Sequence, residues 1–267
     1  MKILVVTPTL GLSRWLAETV ASVGTFASES CHVLVAPADK MAELAKQFPL
    51  TQVVADPGGG MYAAINAGLA AQDEWDAFTY INDDDLLLPG FAAVANAVAE
   101  RTGQPLLAYG RVRLIDGVGR RLGAIPVSPW AKSNRALYAE RLEPVYQHGT
   151  LVSRAAWEQQ GGFDPSFLYC GDSEYFARLC MGGVPAVCVG GEVAAFRLRH
   201  GQLTKNRRAM IEERSRVDEK LGLLEPRKTF RHRWARLAFR IANLPVYIER
   251  IARHGFVSFD QLLERAE

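Results

Sequence analysis

The stretch AFTYINDDDLLLPG, Ala77 to Gly90, carries a short apolar run into three consecutive aspartates and then a Pro-Gly turn. Ala77–Ile81 reads as a strand, and it is the fourth of a series. Upstream lie KILVV (2–6), HVLVA (32–36) and TQVVA (51–55), short apolar segments of the kind expected in buried strands. Segments of helical period fall between them: SRWLAETVASV (13–23) with Ser13 as its N-cap, DKMAELAKQF (39–48) with Asp39 at its start, and MYAAINAGLAAQ (61–72). Downstream, FAAVANAVAER (91–101) reads as a helix and LLAYGRVRLI (106–115) as a strand. GGFDPSFLYCGDSEYFARLCMGG (161–183) reads as a loop running into a helix. Strand and helix alternate with short connections, which argues for an α/β fold built on a doubly wound, largely parallel sheet.

In such sheets ligands bind beyond the carboxyl ends of the strands. Three features fall there: Thr7-Pro8-Thr9, Asp56-Pro57-Gly58-Gly59-Gly60 and Asp83-Asp84-Asp85. They are expected to converge on one crevice. A turn needs one aspartate, and three in a row repel one another, so without compensation at least one pKa should rise. A divalent cation removes that cost, and hard carboxylate ligands suit Mg²⁺ or Mn²⁺. Because Mg²⁺ is commonly held by one or two carboxylates plus substrate phosphates, a short aspartate cluster suggests a nucleotide diphosphate as co-ligand.

Composition narrows the class. The 267 residues are 49% hydrophobic and 22% charged, which suits one large α/β domain with an appendage. Residues 207–267 carry 14 Lys and Arg against 9 Asp and Glu, whereas 1–206 carry 17 against 20, so the basic character belongs to the tail. The four cysteines form no C-x-x-C pair and read as buried free thiols of a reducing compartment. Met1–Val6 is too short for a signal-peptide core, and no segment is apolar for the roughly 18 residues a bilayer span needs. The expected location is cytoplasmic, or peripheral on the inner face of the plasma membrane. No G-x-G-x-x-G follows the first strand, which disfavours a dinucleotide-binding domain.

YINDDDLLLPG (80–90) resembles the DXD-type motif of family 2 glycosyltransferases. Four further blocks match in order: VVTPTLGLSRWLAETVASV (5–23), DPGGGMYAAINAGL (56–69), QHGTLVSRAAWEQQGGFDPSFLYCGDSEYFARL (147–179) and RLRHGQLT (197–204). The resemblance covers about 2–205. It implies the GT-A fold, a Rossmann-like, mostly parallel central sheet flanked by helices, and inverting transfer from a nucleotide-diphospho-sugar with Mg²⁺ or Mn²⁺. Carried over, Asp84 matches the metal-binding position and Asp83 one that faces the ribose or base. Asp85 is either a second metal contact or the cap of the following turn. Thr7, Pro8 and Thr9 match the nucleoside pocket, with Gly60 and Asn66 in the segment beneath it. Two departures bear on the donor base: Ala36 stands where relatives have an acid, with Asp39 able to serve from three residues on, and Ala63 stands where relatives often have Asp. A UDP-sugar is the favoured donor.

Inverting transfer needs a carboxylate to take the acceptor's proton. Asp172 matches that base, with Glu174 as second choice. At i and i+2 the two diverge on a helix, so only one should face the site. His148 and Gly171 are expected on the acceptor side. Arg199 and His200, with Arg197 nearby, are expected to offer cationic contacts to the diphosphate. The domain expectation is a catalytic unit over 1–205, with a nucleotide-binding half (1–90) and an acceptor-binding half (91–205), followed by a basic helical extension (206–267). Segment 227–255 reads as one basic amphipathic helix. It either lies on an anionic bilayer through 227–253, which suits a glycan acceptor on a polyprenyl diphosphate, or packs on the catalytic unit or a twin subunit in a homodimer. No motif points to nucleic acid. The rival readings are a sugar-phosphate nucleotidyltransferase, for which TPTLGLSRW is a poor signature loop, and a non-catalytic sugar-nucleotide-binding relative.

Overall fold

The computed structural model describes residues 1–26, 30–199, 207–223, 229–257 and 261. Four strands, Ile3–Pro8 (β1), Ser30–Ala36 (β2), Gln52–Ala55 (β3) and Ala77–Tyr80 (β4), pair in parallel in the order β3-β2-β1-β4. Their connections carry helices Leu16–Gly24 (α1), Met41–Gln47 (α2) and Met61–Ala70 (α3). The apolar run of β1 serves both faces of the sheet. Leu4 and Val6 pack with Ile65 and Leu69 of α3, while Ile3 and Val5 pack with Phe91 and Val94 of the helix Phe91–Ala99 (α4). Full burial of such side chains contributes about 1.5–3 kcal/mol each. A Cβ at Gly68 would meet Val6 Cγ1 at 2.5 Å, so a glycine there lets α3 lie against β1.

Beyond β4 the sheet becomes mixed. Leu86–Leu87 (β5), Leu107–Ile115 (β6), Arg121–Ile125 (β7), Leu151–Ser153 (β8) and Ala186–Arg197 (β9) continue it in the order β4-β8-β6-β9-β5, with β7 on the flank of β6. β8 runs antiparallel to both of its neighbours and β9 runs parallel to β6, so six of the nine strands in this sheet share one direction. The remaining helices are Asn134–Ala139 (α5), Arg154–Gln160 (α6), Gly171–Met181 (α7), Arg207–Lys220 (α8), Phe230–Ala242 (α9) and Leu244–His254 (α10).

Three expectations are corrected. Ser13 is not the N-cap of α1, which begins at Leu16; its hydroxyl instead accepts the Trp15 N–H (3.3 Å) and donates to the Asp83 carbonyl (2.8 Å). The single tail helix is two, α9 and α10, and residues 227 and 228 lie outside the described residues. Pro245, in the first turn of α10, has no N–H to continue the helical ladder. Asn243 fixes the joint, bonding Phe239 O (2.8 Å) and Val127 O (3.0 Å) through Nδ2. Finally, Cys170 and Cys180 are buried free thiols but Cys31 is exposed.

The tail is tied to the body. Glu213 of α8 accepts the backbone N–H groups of Leu168, Tyr169 and Cys170 at 2.7, 2.7 and 2.9 Å, and Val217 joins the main core. Among the described residues no helix is long and apolar enough to cross a membrane.

Candidate active site

The segments that follow β1, β3 and β4 open on one cleft of about 720 Å³. Pro8 and Thr9, Asp56 and Gly60, and Asp83 and Asp84 all line it, so the three features expected to converge do so. Asp172, His148 and Arg199 close it from the second half of the chain. The floor after β3 is a run of glycines: Gly58, Gly59 and Gly60 hold φ of +79°, +89° and +95°, a region that side chains disfavour. Asp56 steadies the turn by accepting the Gly58 N–H at 2.9 Å.

The three aspartates after β4 point to different partners. Asp83 accepts the Thr9 hydroxyl at 2.6 Å, and burial raises its pKa against that bond. Asp84 is ion-paired with Arg199. Even so its carboxyl is pushed up to about 6, by burial first and by the charge of Asp85 second. Asp85 is fully buried and does not line the cleft. It accepts the Arg197 N–H (2.8 Å) and the Asn82 amide (3.0 Å), and its Oδ2 lies 3.2 Å from His148 Nε2. The Asp85 side chain therefore braces the turn from within, and the structure does not bring it beside Asp83 and Asp84 in the cleft. Arg197 is likewise buried; it donates to the Asp84 carbonyl (2.8 Å) and pairs with Glu18 (2.7 Å).

At the start of α7 the two candidate bases part company. Asp172 lines the cleft. Its Oδ1 accepts both the Tyr62 hydroxyl (3.1 Å) and the Ser173 N–H (2.8 Å). Burial and the charge of Glu143 push its pKa up to about 6, with the Ser173 and Tyr62 bonds opposing. Glu174 is buried away from the cleft, held by Arg178 (2.8 Å) and Lys220 (2.9 Å). Two cations on one buried carboxylate make it a structural tie that does not face the cleft.

His148 is about nine-tenths buried against Phe196, with ring centroids 4.4 Å apart. Its contact with Asp85 is off the hydrogen-bonding axis, and neither ring nitrogen has a hydrogen-bond partner among the described residues.

Other expected residues stand outside the cleft. Thr7 is buried and shares a 2.9 Å hydrogen bond with His32, whose pKa burial lowers to about 4. Asp39 is exposed on the turn Ala38–Lys40. Asn66 clamps the loop before α7, donating to Phe163 O (2.8 Å) and accepting Phe163 N–H (3.0 Å). Gly171 lets α7 approach α3, since a Cβ there would meet the Tyr62 ring at 2.6 Å. His200 lies outside the described residues.

The cleft also contains Trp15 and Tyr62, which the sequence reading did not single out as site residues. Trp15 reads as a helix-interior apolar residue, yet it precedes α1 and carries Arg14 over its ring at 4.3 Å, with Arg199 at 5.7 Å. Tyr62 had a usable signal, since it lies two residues after the glycine run at a strand's carboxyl end.

Among the described residues no group of three or more His, Cys, Asp or Glu side chains forms a closed metal site. Asp83 and Asp84 do put two adjacent carboxylates into the cleft, both with raised pKa. That donor set fits Mg²⁺ or Mn²⁺ shared with substrate phosphates, not an ion held by protein alone.

No family model and no curated protein matches the chain. Solved structures share its fold. S. aureus TarS superposes with a TM-score of 0.62 at 13% identity, over 98% of this chain and 45% of that one, so the chain spans under half the length of TarS. A structure of S. aureus TarS 1–349 gives a TM-score of 0.56 at 15% identity, over 95% and 80%. The mannosyltransferase PcManGT from Pyrobaculum calidifontis, in complex with GDP-Man and Mn²⁺, gives 0.57 at 17% identity, over 99% and 79%. At these identities the likeness is one of fold.

Proposed function

We propose that the protein is a glycosyltransferase of the family 2 type, moving a sugar from a nucleotide-diphospho-sugar to an acceptor hydroxyl with inversion. One arrangement carries the reading: Asp172, a carboxylate whose pKa is pushed up to about 6 and whose hydrogen bonds come from neutral donors, shares a cleft with the Asp83–Asp84 pair and Arg199. A base that titrates near neutrality and a separate anionic pair suited to a diphosphate–cation unit are the two parts that glycosyl transfer requires. The shared fold with a mannosyltransferase solved with GDP-Man and Mn²⁺ supports the same assignment.

In this mechanism Asp83 and Thr9 face the nucleoside, the glycine run approaches the donor through its backbone, and Asp84 with Asp83 would hold Mg²⁺ or Mn²⁺. When bound, the cation supplies Lewis-acid charge that stabilises the departing diphosphate. Asp172 accepts the proton of the acceptor hydroxyl on Oδ2, because Oδ1 is occupied by Tyr62 and Ser173. The acceptor oxygen then bonds to the anomeric carbon as the bond from that carbon to the diphosphate oxygen breaks, its electron pair leaving with the diphosphate. Arg199 moves from Asp84 to the phosphate oxygens, and His148 offers a ring nitrogen to the acceptor. The donor is a UDP-sugar, and the acceptor a glycan or a polyprenyl-diphosphate-linked glycan of bacterial surface polysaccharide or glycolipid assembly.

A panel of nucleotide sugars with Mn²⁺ or Mg²⁺, read by thermal stabilisation, tests the proposal. One member should raise the melting temperature in a metal-dependent way, and Asp84→Ala should abolish the shift. If no nucleotide sugar binds with any divalent cation, the reading is wrong.

A further inference from the structure

Phe230, Trp234, Leu237 and Ile241 of α9 all face solvent, with Phe230 77% exposed. Leu244, Ile248 and Ile251 of α10 do the same. Intervals of four and three residues place each set in one row along its helix. The row lies opposite the buried residues of the two helices, Phe239 on α9 and Val246 on α10. Each helix therefore turns one apolar stripe inward and a second outward. Scattered exposed apolar residues are ordinary, but a seven-residue row is a surface built to be covered.

The charges beside the row say by what. Between residues 229 and 257 the chain has six arginines and one acid, Glu249. Glu249 is already engaged by Arg121 (2.7 Å) and Arg253 (3.0 Å), and its pKa falls to about 2 as a result. Arg233 and Arg240 immediately precede Trp234 and Ile241, so they flank the row, and they have no ion pair among the described residues. We infer that α9 and α10 dock on an anionic lipid bilayer, the apolar row entering the boundary between headgroups and acyl chains while the arginines meet the lipid phosphates. A second copy docked row on row would set these arginines against their own kind, and its Glu249, the one acid between 229 and 257, is already engaged. Anionic headgroups answer all of them at once.

The inference stands apart from the catalytic reading, because its test reads binding and not turnover. The full chain is sedimented with vesicles of phosphatidylcholine, with and without phosphatidylglycerol, at low and high salt. Partition onto the phosphatidylglycerol vesicles should exceed that onto phosphatidylcholine by about tenfold or more, since each basic side chain near an anionic surface contributes on the order of a fivefold factor. High salt should reduce it. The double variant Trp234→Glu with Ile241→Glu should lose at least about tenfold, and Arg233→Glu with Arg240→Glu should lose the salt-sensitive part. Trp234 and Ile241 are 53% and 55% exposed, so both variants should keep the wild-type melting temperature. Equal partition onto the two vesicle types, or undiminished binding by a folded double variant, overturns the proposal. So does a wild-type dimer in vesicle-free sedimentation velocity that Trp234→Glu with Ile241→Glu dissociates, because the row is then covered by a second copy.

Discussion

The cleft is bordered by two acidic stretches whose surroundings differ. After β4, Thr9 answers Asp83, Arg199 answers Asp84, and the Arg197 N–H and Asn82 answer Asp85. At the start of α7, Glu174 takes two cations, whereas among the described residues Asp172 takes none, only the Tyr62 hydroxyl and the Ser173 N–H. Both stretches hold a carboxyl pushed up to about 6, but Asp84 reaches that value beside a guanidinium and Asp172 without one. What distinguishes these five acids in the structure is the counter-charge each one meets, not its place in the motif.

The largest expected effect falls on the residue without a cation. Asp172→Asn should lower the transfer rate by about 10²–10⁴-fold while leaving donor binding intact. In the wild type, kcat/KM should rise with pH through about 6 as Asp172 loses its proton, then level off. The same substitution should stabilise the ligand-free fold at pH 7.5. The folded pKa lies above the ordinary 3.8, so the contribution of Asp172 to stability is fully present below that value and is lost as pH rises through about 6. Removing the charge recovers roughly 2–3 kcal/mol, readable by denaturant unfolding at pH 7.5 against pH 4. An Asn variant that still turns over would return the base assignment to open question.

Next in size is Asp85→Ala, which leaves the Arg197 N–H and the Asn82 amide without their acceptor in a buried turn. The expected loss is about 3 kcal/mol in urea unfolding. A variant of normal stability that has lost only metal affinity would show that Asp85 binds the cation after all. Glu174→Gln should cost roughly 1–2 kcal/mol, reduced because Lys220 is 40% exposed, and should leave turnover within a few-fold of wild type. Loss of turnover at unchanged stability would reverse the contrast between the two α7 acids. The smallest effect is expected from Arg199→Ala. Without the guanidinium, Asp84 should take up its proton at still higher pH, shifting the pH midpoint of Mn²⁺ binding upward. An unchanged midpoint would mean that the Arg199 contact does not influence the metal carboxylate.

The first ninety residues were legible because β1, β2 and β4 are buried on both faces and so carry apolar runs, which turn residues interrupt at the carboxyl ends; the edge strand β3, only partly buried, keeps a short apolar run of its own. The second half was harder for a stated reason. β8 is three residues long, and β9 reads as AVCVGGEVAAFR, with two glycines where a strand should run on. In the fold those glycines serve the strand: Gly191 has φ +88°, and the β6–β9 register shifts on either side of Arg111. A bulge of that kind hides a long strand from any test of periodicity. The two tail helices likewise looked like one, since the heptad-like apolar row runs through Asn243 and Pro245 without a break in spacing.

From the sequence alone came the βα alternation, the convergence of Thr9, the glycine run and the aspartates, and the expectation that only one of Asp172 and Glu174 faces the cleft. Local chemistry determines these: apolar runs make strands, glycines make tight turns, and i and i+2 positions diverge on a helix. Only the tertiary structure decided which carboxylates meet cations, that Thr7 pairs with His32 behind the cleft, that Asn66 and Gly171 serve packing, and that Tyr62 reaches Asp172 across 110 positions of chain. Those assignments depend on desolvation and on groups distant in sequence. Both are properties of the packed molecule that no single stretch of residues carries.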